Sequence, residues 1–105
     1  MTLVDTGPIV ALFDPSDSEH FRCRHVLESI RDPLVTTLPV LTESFHLLRP
    51  GSLGCRRLGE FLDRGGVRVW PLDDAAVKRC LELMEQYRDR PMDLADASLV
   101  AAAEQ

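Results

Sequence analysis

The sequence predicts a single α/β domain, a parallel sheet with helices on both of its faces. Two observations carry that prediction. Short β-branched, apolar runs alternate with longer segments whose apolar residues recur at helical spacing, and Pro, Gly and Asp turn signals separate the two kinds. The order strand, helices, strand, helices, strand, helix returns each strand by a helical crossover, which makes neighbouring strands parallel. A chain of 105 residues is one domain, 1–105, small but long enough to bury a core.

The first strand is Leu3-Val4, and Asp5-Thr6-Gly7-Pro8 is a turn that hands over to the apolar, helix-permitting run Ile9 to Phe13. Asp5 therefore stands at the carboxyl end of a strand, where ligands bind in open α/β sheets. Read alone, an acid there is a turn or cap residue. Asp14-Pro15-Ser16-Asp17 makes the next turn, with Ser16 or Asp17 capping a helix over about 17–31 whose stripe is Cys23, Val26, Leu27 and Ile30. Asp32-Pro33 stops it, and Leu34 to Thr37 is a second strand.

Pro39 opens a helix to Leu48, on which Glu43 shares an apolar line with Val40 and Leu47. A carboxylate facing inward is costly unless it is paired or bound to a metal; at the edge of the face it reaches solvent instead. Arg49-Pro50-Gly51 breaks this helix, Leu58, Phe61 and Leu62 mark the next, and Arg64-Gly65-Gly66 ends it. Val67 to Trp70 is the third strand, and Asp73 or Asp74 caps a helix with the stripe Val77, Cys80, Leu81, Met84. In the last helix Asp96, Leu99, Val100 and Ala103 recur at helical spacing, and Asp93 lies one turn before Asp96, about 5–6 Å away at Cβ. Two like charges so placed need a cation or a shared proton. As caps at a helix N-terminus they are instead favoured by the dipole.

Hydrophobic residues at 45% and charged residues at 28% are the proportions of a soluble globular protein. The apolar runs are too short to span a bilayer and the N-terminus has no export-signal pattern, so a cytoplasmic protein is expected. Cys23, Cys55 and Cys80 lie within helical apolar patterns without a C-x-x-C pair, as buried thiols in a reducing compartment do. His20, His25 and His46 form no ligand pair and are expected at solvent edges or facing a partner. A net charge of −5 excludes a generic basic nucleic-acid binder but not a nuclease, since a cation held by clustered acids reverses the local field. Positive charge is nearly all arginine, with Lys78 the only lysine. Arg49, Arg56 and Arg57 follow the Glu43 helix, either as solvated helix charges or as the lining of an RNA path.

Asp5, Glu43 and Asp96 thus lie at a strand end, on a helix and at a helix start. Together they have the pattern of a carboxylate site for Mg²⁺ or Mn²⁺ assembled from distant segments, with no sulfur or imidazole partner to suggest zinc.

The opening V-D-T-G-P-I-V-A-L-F, the P-V-L-T-E block around Glu43 and the closing P-M-D-L-A-D-A-S-L-V-A-A-A-E resemble the PIN-domain ribonucleases, in particular the VapC-like toxins of toxin–antitoxin pairs. The resemblance covers the whole chain in the right order. It implies a PIN-like three-layer sandwich in which Asp5, Glu43 and Asp96 hold Mg²⁺ or Mn²⁺. Asp93 is then an auxiliary acid, and Thr6 orients a ligand or water through its hydroxyl. It also implies metal-dependent endonucleolytic hydrolysis of RNA, leaving a 5′-phosphate and a 3′-hydroxyl. A cognate antitoxin and a homodimer are the implied partners.

One departure stands out. Family members continue into a further strand and a T-x-D-x-D-F-like segment with a fourth acid, whereas this chain stops at Gln105. The resemblance therefore implies that the C-terminal strand or strands are missing, that the Asp5 strand lies on an exposed edge, and that metal affinity and turnover are reduced. No residue is identified from the sequence as a stand-in for that acid. The chain would be a fragment, a shortened relative, or a protein completed by a partner. The alternative function is accordingly a non-catalytic, truncated PIN-like protein that binds an antitoxin or self-associates. A third reading, an aspartic protease, rests only on Asp5-Thr6-Gly7 and is opposed by its position at the start of a chain that continues into helices.

Overall fold

The computed structural model describes residues 1–105. β1 (Thr2–Leu3), β2 (Leu34–Thr36) and β3 (Arg68–Val69) form one parallel sheet in the order β1-β2-β3, with Thr2 opposite Leu34 and Val35 opposite Arg68. The helices are α1 (Thr6–Phe13), α2 (His20–Ser29), α3 (Leu38–Leu47), α4 (Leu53–Asp63), α5 (Asp74–Gln86) and α6 (Leu94–Ala103). The parallel sheet flanked by helices is as the sequence predicts, and β1 is an edge strand. Its far end is pinned to β2 just before Asp5: the Val4 N–H donates to the Val35 carbonyl at 2.9 Å. The buried Thr36 hydroxyl donates back to the Val4 carbonyl at 2.9 Å.

Asp5 to Pro8 differs from the expected turn. The helix begins at Thr6, Asp5 is its N-cap, and Pro8 lies within the first turn, where a missing N–H costs nothing. The second helix is also shorter than its stripe suggested, starting at His20 and leaving Asp17 in the connecting turn. His20, expected at a solvent edge or facing a partner, is buried with Nδ1 2.8 Å from the Ala11 carbonyl, so a polar anchor between α1 and α2 takes the place of an apolar one. Cys80 is buried as expected, whereas Cys23 and Cys55 are half-buried; all three are free thiols.

Two apolar clusters share α6. The larger joins Val4, Ile9, Val40, Leu41, Leu48, Leu58 and Ala95, and the smaller joins Cys80 and Leu83 of α5 to Ala97 and Ala101. A helix wedged between two cores is covered on more than one side, which only small residues allow at close approach, and α6 buries Ala95, Ala97, Ser98, Ala101 and Ala102. The predicted face Asp96, Leu99, Val100, Ala103 is therefore not the buried one: Leu99 and Val100 are half-buried, and Asp96 and Ala103 are exposed. Close approach also governs α4, where a Cβ on Gly54 would stand 2.9 Å from the Phe13 carbonyl oxygen.

Candidate functional site

Beyond the carboxyl end of β1 an open cavity of about 380 Å³ is lined by Asp5, Thr6, Gly7, Val10, Asp17, Glu43, Leu47, Ala95 and Asp96. All three acids singled out from the sequence thus reach one place, each carried by a different element. Asp5 caps α1, its Oδ1 accepting from the Thr6 N–H at 2.7 Å, which leaves Oδ2 for another partner. Glu43 lies in the second turn of α3, half-buried, between the buried Val40 and the exposed Leu47, so it is the edge of the helix face that meets the cavity. Asp96 is in the first turn of α6.

Asp93 is placed differently. It is the N-cap of α6, accepting from the Asp96 N–H at 2.8 Å, while its own N–H faces Asp96 Oδ2 at a long 3.4 Å in a capping box. It lies outside the cavity wall. The charges of this group act on one another. Partial desolvation first, and then the Asp93 and Asp5 carboxylates, push the Asp96 carboxyl above its ordinary value, against a backbone hydrogen bond that lowers it. The N-termini of α1 and α6 offset part of that repulsion with their dipoles.

Two further features of the wall concern a cation. Thr6 is 6% exposed, and its hydroxyl is a buried polar atom without a hydrogen-bond partner, which costs stability unless something absent from the chain satisfies it. The donors are all oxygens, the set that suits a hard divalent ion. No three His, Cys, Asp or Glu side chains converge on a common ligating sphere. Mg²⁺ retains several waters and is commonly held directly by only one or two carboxylates, so acids spaced around a cavity of this size fit a hydrated ion.

Asp17 is the wall residue that sequence reasoning missed. Half-buried in the turn between α1 and α2, it accepts from the Glu19 N–H at 2.8 Å through Oδ1. In the sequence it reads as a helix cap, and only the return of α2 beside α1 brings it to Asp5. Arg49, Arg56 and Arg57 are not on this wall; Arg57 lines a separate cavity of about 550 Å³ with Phe13, His20, Arg24 and Phe61.

Comparison with solved structures finds the crystal structure of Mycobacterium tuberculosis VapC20, a sarcin–ricin-loop-cleaving toxin, 23% identical, with a TM-score of 0.89. The match covers 99% of this chain and 82% of that one and bears on the fold. No curated protein matches. The family model of the PIN domain matches residues 2–105. The parallel sheet flanked by helices is therefore that of a known fold, and the chain belongs to the PIN-domain family.

Proposed function

We propose that this protein is a metal-dependent endoribonuclease of the toxin type, using Mg²⁺ or Mn²⁺ to hydrolyse phosphodiester bonds in RNA. The observation that carries this reading is the meeting of Asp5, Glu43 and Asp96, from three distant segments, on one open cavity beside the unpartnered Thr6 hydroxyl. Family membership and the likeness in fold to an RNA-cleaving toxin support RNA as the substrate.

Asp5, Glu43 and Asp96 would hold the cation, and Thr6 would orient a water or phosphate oxygen through its hydroxyl. A bound ion there would polarise the phosphate and lower the pKa of a water nucleophile. Asp93, named from the resemblance as an auxiliary acid of the site, lies off the cavity wall and caps α6, which fixes where the helix carrying Asp96 begins. Four carboxylates around the cavity repel phosphate on their own, so the RNA backbone approaches only once their charge is neutralised.

The same reading includes a cytoplasmic homodimer silenced by a cognate antitoxin. No helix is long and apolar enough to cross a membrane. Exposed Val77 and Leu81, one turn apart on α5, offer apolar surface for association. Light scattering on the purified chain reads the dimer directly.

A second reading is a non-catalytic PIN-like protein that binds an antitoxin or self-associates, favoured by the exposed apolar Val77 and Leu81 of α5. Calorimetric titration of Mn²⁺ into the wild type and Asp5→Asn, followed by incubation with a mixed RNA pool, separates the two. Binding and cleavage that are both lost in Asp5→Asn support the nuclease. A folded wild type that binds no Mn²⁺ supports the binding module.

A further inference from the structure

The turn between α1 and α2 brings a fourth acid, Asp17, to the cavity wall. We propose that Asp17 belongs to the cation site, its carboxylate accepting hydrogen bonds from water molecules that a divalent ion keeps; the proposal rests on the metal-dependent reading above. Three observations lead to it. Asp17 is half-buried and shares the cavity with Asp5, Glu43 and Asp96, although its neighbour in the same turn, Asp14, does not line it.

The same wall holds Thr6, more than nine-tenths buried, whose hydroxyl has no partner in the chain, a donor and acceptor left for something that enters the cavity. Finally, the cavity measures about 380 Å³ with no three acids in a common ligating sphere, room for a hydrated ion rather than a bare one. A hydrated ion is held by one or two carboxylates directly and by others through its waters, so an acid set back in a neighbouring turn can still serve it.

The competing role for Asp17 is local. Its Oδ1 accepts from the Glu19 N–H at 2.8 Å and shapes the entry to α2. Asparagine makes the same side-chain turn with the same oxygen, so Asp17→Asn removes the charge and keeps the turn. Asp14→Asn is the control, because it removes one negative charge from the same loop at a residue off the wall.

The experiment is calorimetric titration of MnCl₂ into the full chain as wild type, Asp17→Asn and Asp14→Asn, with thermal unfolding of each in the absence of metal. Asp17→Asn is expected to weaken Mn²⁺ binding by about tenfold, the size of effect typical of partners that act on a metal through its ligands. Its metal-free unfolding midpoint should stay that of the wild type, and Asp14→Asn should bind as the wild type does. Should Asp17→Asn fold poorly, Asp17→Ser keeps a side-chain acceptor for the turn without the carboxylate and carries the same expectation.

Wild-type binding left unchanged by Asp17→Asn overturns this proposal alone. Equal weakening by Asp14→Asn overturns it too, by reducing the effect to distant charge. Absence of binding by the wild type overturns it together with the metal-dependent reading.

Discussion

The hydroxyls of Thr37 and Ser98 meet at 2.6 Å with both side chains wholly buried. Ser98 gives its own proton to the Ala95 carbonyl at 2.7 Å, so Thr37 is the donor. Thr37 is the N-cap residue of α3, yet its side chain caps nothing in that helix, being turned to α6 instead. This single bond ties the helix that carries Glu43 to the helix that carries Asp96.

Ser98→Ala would strand the Thr37 hydroxyl in the core, at a cost of about 1–3 kcal/mol. Thermal denaturation should show a midpoint lower by several degrees, since about 1 kcal/mol shifts a domain of this size by roughly 4–8 °C. Pairing it with Thr37→Val should be less damaging than the sum of the two changes, by at least about 0.5 kcal/mol. Strictly additive losses would mean that the two hydroxyls are independent.

Thr6→Val replaces a buried hydroxyl that has no partner in the chain with a methyl of similar size. An unsatisfied buried hydroxyl contributes nothing favourable, so metal-free stability should hold or rise by up to about 1 kcal/mol. If the hydroxyl orients a water or phosphate oxygen, RNA cleavage should fall by about tenfold or more at unchanged stability. Cleavage at the wild-type rate would remove Thr6 from the site.

The parallel sheet was legible because alternating strand and helix patterns leave little choice of topology, and Asp5, Glu43 and Asp96 only as a group, since Asp5 and Asp96 each also make sense as helix-terminal acids and Glu43 as an edge residue. Two things were not. Asp17 and His20 sit in or next to a turn whose residues all make sense as caps, and their surroundings depend on how α2 folds back on α1. The burial of α6 was misread because a rule of one apolar stripe assumes a helix on the surface of one core, whereas α6 lies between two.

Glu104 closes the last helix against α5: both its oxygens accept from Arg79, at 2.8 Å from Nε and 2.8 Å from the second guanidinium nitrogen. Hydrogen bonding to that guanidinium holds the Glu104 carboxyl below its ordinary value. A depressed folded-state pKa means that the contribution is present above the ordinary glutamate range and is lost as the pH falls through the lowered value. Glu104→Gln should therefore lower the unfolding midpoint at neutral pH and converge with the wild type in acid. Both side chains are about two-fifths exposed, so high salt should shrink the difference. A pH-independent gap would point to packing instead.

Asp96 has the opposite sign, and that opposition tests its role. Its folded-state carboxyl is raised by desolvation and by the charges of Asp93 and Asp5, so ionising it costs stability that grows as the pH rises from the ordinary aspartate range through the raised value. Asp96→Asn keeps the acceptor of the capping box and removes the charge. Without metal the variant should equal the wild type in acid and exceed it at neutral pH by roughly 0.2–0.5 kcal/mol, the size of a like-charge pair one helical turn apart. With Mn²⁺ the order should reverse. A ligand at a hundred times its Kd adds about 2.7 kcal/mol to a protein that binds it, and the variant should gain little of this. A residue that weakens the empty fold and strengthens the loaded one is retained for the ion. Unfolding midpoints for both proteins, at pH 3 to 8 with and without MnCl₂, decide the matter; an equal response to the metal would remove Asp96 from the site.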